Sequence, residues 1–106
     1  MLTVAETRTF QRLWPDYWTE DERGEFASYL AITPDAGDVV PASGGVRKVR
    51  WSRPGAGKRG GVRVVYFNRL ADGEIWLLLI YSKSVRDNVP AELLKQLKQE
   101  INDAHD

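Results

Sequence analysis

The chain has 106 residues, of which 15 are basic and 15 are acidic, so its formal net charge is zero. That length fits one domain with one hydrophobic core, residues 1–106, and excludes separate cofactor and substrate domains. Cysteine is absent and histidine occurs once, as His105, so disulfides, thiolate chemistry, a zinc site and a histidine-based triad are not expected. We therefore predict no metal and no cofactor.

The longest apolar run is Ile75–Tyr81, seven residues. It fits a buried strand and is far short of the roughly 20 residues of a membrane helix. The first residues contain no apolar segment of a secretory signal. We expect a cytoplasmic protein with no membrane contact.

The first half of the chain predicts a short strand and two helices. Leu2 to Ala5 fit an edge strand, and three apolar residues then recur at helical spacing: Phe10, Leu13 and Trp14. Thr19 and Glu22 have the spacing of a capping box, which predicts the start of a second helix. Residues 34–37, Pro-Asp-Ala-Gly, end it.

The second half predicts strands over three segments: residues 48–51, 62–69 and 74–82. In the first segment Val49 and Trp51 alternate with Lys48 and Arg50, as in a half-exposed strand. Asp-Gly between the second and third segments is a hairpin signal.

A last helix is predicted from Pro90, with apolar side chains on one face: Leu93, Leu94, Leu97 and Ile101. The predicted fold is therefore α+β. It has a small antiparallel sheet of three main strands plus an N-terminal edge strand, two N-terminal helices and a C-terminal helix.

The charges are not evenly spread along the chain. Residues 45–69 contain eight basic side chains and no acidic one: Arg47, Lys48, Arg50, Arg53, Lys58, Arg59, Arg63 and Arg69. Both flanking segments are acidic. A solvated strand surface is the ordinary explanation of a charge run, but 25 residues without an acid favour the binding of a polyanion.

Several of these cations are predicted to share one surface. The two-residue period of strands puts Lys48 and Arg50 on one face, and Tyr81 and Lys83 on one face of the last strand. If these faces coincide with that of Arg63, the five side chains line one patch. Tyr81 has an equally good interpretation as a core residue whose hydroxyl bonds to the backbone.

The residue types of this patch limit its chemistry. No carboxylate pair is placed to flank a scissile bond, so a general acid and base would have to be lysine, arginine or tyrosine. Metal-free RNA cleavage by the 2′-hydroxyl fits such a set, because it needs a base, an acid and cations that stabilise the phosphorane. The glycine-rich run at 53–61 lacks the Ser or Thr of a phosphate loop after Lys58 and precedes a strand, so nucleotide hydrolysis is not predicted.

Three segments of the chain, Gly44–Arg50, Gly55–Tyr66 and Trp76–Lys83, closely resemble the HigB branch of the RelE/ParE toxin superfamily. The Pro34–Pro41 segment and the leucine-rich last helix are similar to that branch as well. The resemblance covers nearly the whole chain, and its most specific part is the glycine-bracketed basic run between two strands.

The resemblance implies a RelE-like fold and the toxin of a bacterial type II toxin–antitoxin pair. The implied activity is that of a metal-independent, ribosome-dependent mRNA endonuclease that arrests translation. The implied partners are a cognate antitoxin of the helix-turn-helix type, the ribosome and mRNA, with operator DNA reached through the antitoxin.

By position in the family's motifs, the implied catalytic residues are Lys48, Arg50, Arg63, Tyr81 and Lys83. We predict RNA contacts from four further cations: Arg47, Lys58, Arg59 and Arg86. The branch often has an asparagine where this chain has Ser84, and some relatives have a tyrosine or histidine near Asn88 and Val89. The assignment of general acid and general base is therefore left open.

Two other functions fit the same residues. The basic block fits a catalytically inactive module that binds RNA, the ribosome or an antitoxin. A ParE-like toxin directed at DNA gyrase has the same fold class, although a protein target would not require so many basic strand residues.

Overall fold

A computed structural model describes residues 2–52, 61–82, 85 and 88–104. Its strands are β1 (Thr3–Glu6), β2 (Asp38–Val39), β3 (Val46–Trp51), β4 (Val62–Arg69) and β5 (Glu74–Ser82). Its α-helices are α1 (Arg8–Leu13), α2 (Glu20–Ile32) and α3 (Ala91–Ala104), and short 3-10 helices cover Trp14–Asp16 and Leu70–Asp72. The predicted α+β class, with two N-terminal helices and one C-terminal helix, is confirmed. No helix within the described ranges is long and apolar enough to cross a membrane.

The strands form one sheet in the order β1-β5-β4-β3-β2. The predicted antiparallel arrangement of β3, β4 and β5 is confirmed, and the N-terminal strand lies at an edge as predicted. That strand runs parallel to β5, so the sheet is mixed rather than purely antiparallel. The prediction also missed β2, which pairs with Arg47 and Lys48. Two exposed residues are too few to show an alternation in the sequence.

Side-chain caps fix the start of both N-terminal helices. The buried Thr7 hydroxyl accepts a hydrogen bond from Phe10 N (3.1 Å) and donates one to Leu78 O (3.1 Å), which ties α1 to β5. The predicted capping box is present at α2, where Thr19 and Glu22 exchange hydrogen bonds of 3.2 and 3.1 Å.

Helices cover both faces of the sheet. On one face, here the helix-pair face, α1 and α2 bury their aromatic side chains against Val49, Val64 and Leu77. On the other, here the α3 face, α3 packs its apolar side chains on Val46, Val65 and Leu79. The core is therefore two layers of side chains separated by the sheet.

A β-bulge in β5 sets which residues point to the α3 face. Val65 pairs with Leu79 but Tyr66 pairs with Leu77, so Leu78 is the extra residue. Leu78 and Leu79 both belong to the cluster under α3, whereas Leu77 belongs to the opposite one. The bulge thus shifts the alternation of β5 by one residue, so that Trp76 before it and Tyr81 after it both point to the α3 face.

Candidate nucleic-acid interface

Three of the predicted catalytic residues form one row across the sheet. Arg50 pairs with Arg63 in the β3–β4 register, and Arg63 pairs with Tyr81 in the β4–β5 register. Directly opposite residues of a sheet point to the same face. Tyr81 belongs to the cluster under α3, so the row points to the α3 face.

Lys48 lies beside this row. It is two residues before Arg50 on β3 and therefore points to the same face. Its side chain is half-buried and lines a depression of about 170 Å³ together with Asn88 and Val89. The segment that leads into α3 therefore passes next to Lys48 and makes one wall of the site.

The cations of the row have no counterion in the part of the chain that the structure describes. Arg50 is exposed and Arg63 is half-buried, and neither is within ion-pair distance of a described carboxylate. Arginines elsewhere are paired: Arg23 Nε lies 2.6 Å from Glu6, and Arg69 lies 3.0 Å from Asp72. Like charges opposite one another destabilise a sheet, so a bound anion would stabilise this end of the molecule.

Tyr81 is a core residue at the end of the row. Its side chain is 2% exposed and packs among the residues under α3. This position fits the interpretation of Tyr81 as a core residue, and its catalytic role stays a prediction. Arg63, its cross-strand partner on β4, therefore lies beside a ring that packing holds in place.

Arg47 lies on the opposite face from the row. It pairs with Tyr66, and its Nη1 donates a 2.6 Å hydrogen bond to Gly37 O. Tyr66 is fully buried; its hydroxyl accepts from Gly37 N (2.8 Å) and donates to Pro34 O (2.8 Å). Burial raises the pKa of Tyr66 above its ordinary value. These contacts attach the 34–37 segment to the sheet, and the RNA contact predicted for Arg47 remains a prediction.

Four other predicted site residues lie outside the described residues: Lys58, Arg59, Lys83 and Arg86. Their roles stay predictions. Within the described ranges, no group of three or more His, Asp or Glu side chains is arranged to hold a metal ion.

The structure also brings two lysines to the α3 face that the sequence interpretation did not use. Lys95 and Lys98 project from α3 beside the buried Leu94 and Leu97. The sequence does contain a sign of this placement. Lys95 and Lys98 are three residues apart, so they share a face of the helix, and they border the apolar stripe of α3. The sequence did not single them out because they lie far along the chain from the basic strands, and only the packing of α3 on the sheet brings them to the same face.

The fold and the site together define a small α+β protein with two arginines opposite each other on a helix-flanked sheet, both without an ion-pair partner among the described residues. No protein-family model matches the chain. A solved structure of the E. coli toxin RelE, a double arginine-to-alanine mutant in the free state, is similar to it with a TM-score of 0.63. The similarity covers 94% of this chain and 97% of that chain, at 10% sequence identity. It confirms the RelE-like fold.

Proposed function

We propose that this protein is the toxin of a type II toxin–antitoxin pair and that it cuts mRNA on the ribosome without a metal. The observation that carries the proposal is the row of Arg50 and Arg63 beside Tyr81, two arginines placed opposite each other without a described counterion. The RelE-like fold supports it. The proposal includes membership of the HigB branch and inhibition by an antitoxin of the helix-turn-helix type.

In the proposed reaction the 2′-hydroxyl of a nucleotide attacks the adjacent phosphate. The 2′-O–P bond forms, the P–O5′ bond breaks, and the two guanidinium groups of Arg50 and Arg63 stabilise the added negative charge. A lysine takes the proton of the 2′-hydroxyl, and Lys48 and Lys83 are the two candidates. Each proton transfer by a positioned side chain contributes roughly 10²–10⁴-fold in rate.

Tyr81 has a positioning role in this proposal. With 2% of its side chain exposed, its hydroxyl lies below the surface that a phosphate would contact. It would keep Arg63 directed at the scissile phosphate, and the proton for the 5′-oxygen would come from a lysine.

The test is induction of an Arg63→Ala variant in a growing cell, followed by sequencing of RNA ends. The parent is expected to arrest growth and to leave cut transcripts, and the folded variant is expected to do neither. Arg12→Ala, which removes an exposed cation from α1, serves as the control and should behave as the parent. A folded Arg63→Ala variant as toxic as the parent would refute the assignment.

The burial of Tyr81 also favours a second candidate, a module that binds RNA or an acidic antitoxin segment without cutting. For about five phosphates on single-stranded RNA, log K should fall against log salt with a slope of about −3.5. That slope, without cut RNA on translating ribosomes, would identify the module. A DNA-damage response without cut transcripts would instead identify a gyrase-directed toxin.

A further inference from the structure

Three adjoining depressions follow one side of α3. The first, about 170 Å³, contains Lys48 and shares Leu94 with the second, about 300 Å³. The second shares Lys98 with the third, about 220 Å³, which ends at Arg69. Neighbouring depressions share a lining residue, and the series of three, here the α3 groove, lies between α3 on one side and the β2–β3 turn, β3 and β4 on the other.

The α3 groove carries an excess of positive charge. Lys48, Lys95 and Lys98 line it, and none of them is within ion-pair distance of a carboxylate in the described part of the chain. Glu92 also lines it, while Arg69 at its far end is paired with Asp72. Among the described lining residues, three ammonium groups without an ion-pair partner against one carboxylate favour a polyanionic occupant.

Lys98 is held in place by its surroundings. Its Nζ lies 4.6 Å from the centroid of the Phe67 ring, a cation–π contact. Gly44 adopts a left-handed φ of +74°, and a Cβ at that position would come within 2.9 Å of the ammonium. The glycine thus leaves the space that Lys98 occupies between the β2–β3 turn and α3. An ammonium group fixed in this way loses little side-chain entropy when it binds a phosphate.

We propose that the α3 groove binds the stretch of single-stranded RNA adjacent to the scissile phosphate, with Lys95 and Lys98 on its backbone phosphates. This inference rests on the proposed function and extends its substrate site. The groove continues from the row, since Lys48 and Arg50 share one face of β3. From Arg63 to Arg69 the strand extends about 20 Å, enough for several nucleotides.

An acidic peptide is the competing occupant, and the lining argues against it. Peptide docking in a groove depends on apolar anchors, whereas Leu94 is 6% exposed and Phe67 is covered by the Lys98 ammonium. The exposed uncharged polar side chains that line it are Asn88 and Asn102. Such groups hydrogen-bond to ribose and base edges.

The test is a salt titration of binding to single-stranded RNA of two lengths, about 4 and about 12 nucleotides, a range typical of one small RNA-binding domain. A Lys95→Gln/Lys98→Gln variant keeps a polar side chain at both positions, each one bond shorter, and removes two charges. On the longer RNA the slope of log K against log salt is expected to become shallower by about 1.4. Each phosphate contact on a single strand contributes about 0.7 to its magnitude. On the shorter RNA the slope should be nearly unchanged.

Arg8→Gln/Arg12→Gln removes two exposed cations from α1 and is the charge-matched control; its slopes should equal those of the parent. An unchanged slope for the lysine variant on the longer RNA would overturn the inference. A second result would also overturn it: a glutamate-rich decapeptide that displaces RNA from the parent but not from the lysine variant, while the two proteins have the same RNA slope. The groove would then bind protein.

The two proposals fail separately. If the parent cuts mRNA and the lysine variant keeps the parent's slope, the groove assignment is wrong and the endonuclease assignment stands. If the slope falls as expected but no transcript is cut, the groove assignment stands and the endonuclease assignment is wrong. A parent that binds no single-stranded RNA of either length overturns the groove assignment, while the endonuclease assignment, which depends on the ribosome, is decided by the cut transcripts.

Discussion

Arg50 and Arg63 lie directly opposite each other on β3 and β4, and neither has an ion-pair partner within the described ranges. Strand pairs usually place unlike charges, or one charge and a neutral side chain, at such positions because opposed like charges destabilise the sheet. A folded protein that keeps two arginines here retains an unfavourable contact in the free state. A phosphate bound between them would remove that cost, which is why the pair is the centre of the proposed site.

Replacement of Arg50 by threonine should therefore stabilise the free protein while impairing the proposed activity. Threonine suits a strand, and loss of the like-charge contact should raise the free energy of unfolding by about 0.2–1 kcal/mol. Loss of one donor to the phosphorane should lower cleavage by roughly 10²–10³-fold. Urea unfolding and a ribosome-based cleavage assay measure the two effects.

Arg69→Thr is the matched control for the stability measurement. Arg69 is on the same sheet but is paired with Asp72 at 3.0 Å, so its removal should give no gain in stability. A less stable Arg50→Thr variant with undiminished cleavage would contradict both halves of the expectation.

Tyr81→Phe should separate a positioning role from proton donation. The ring is buried under α3, so the variant keeps the packing and should fold. We expect its cleavage rate to fall by much less than the roughly 10²–10⁴-fold that loss of a general acid would cause. Single-turnover cleavage over a pH series is the measurement. A full loss of rate together with the disappearance of one limb of the pH profile would make Tyr81 the acid.

Arg47→Ala should reduce stability and leave RNA binding unchanged. Its guanidinium donates a 2.6 Å hydrogen bond to Gly37 O, on the face opposite to the row. Hydrogen bonds of charged groups contribute about 1.5–3 kcal/mol, and the half-buried position favours the lower end. Thermal unfolding should show the loss, while the salt slope of RNA binding should equal that of the parent. A slope shallower by about 0.7 would instead bear out the RNA contact predicted for Arg47 from the sequence.

Tyr66 should make the protein sensitive to alkaline pH. Burial raises the pKa of its hydroxyl in the folded state, so the folded protein keeps this proton at a pH where the unfolded chain has released it. The stability that this difference in pKa contributes is fully present below the ordinary pKa of about 10. It is lost as the pH rises above that value. Tyr66→Phe should show a shallower fall in stability above that pH.

The same variant should be less stable near neutral pH. Gly37 N donates to the Tyr66 hydroxyl, and phenylalanine would leave this buried group without its acceptor, at a cost of about 1–3 kcal/mol. Unfolding by urea at neutral and at alkaline pH tests both expectations. Parallel pH curves for the two proteins would show that Tyr66 does not carry the alkaline sensitivity.

Local sequence signals predicted most of the elements. The Thr19–Glu22 capping box marks the start of α2, and the alternation of Val49 and Trp51 with basic residues marks β3. Such signals depend on neighbours within a few residues, so they can be recognised in the sequence alone. β2 was missed because two residues at the edge of a sheet are held by their pairing with β3, a contact between distant parts of the sequence.

The sequence itself determined three features: the α+β class, the acid-free cationic block, and the sharing of one strand face by Lys48 and Arg50. They follow from composition and from the two-residue period of strands. The tertiary structure decided which strands became neighbours and what covered each face. It set Arg50 opposite Arg63, buried Tyr81 under α3, used Arg47 to hold the 34–37 segment and brought Lys98 from α3 beside Phe67. Periodicity assigns a residue to a face of its own strand, but only the packing of distant elements determines what lies over that face.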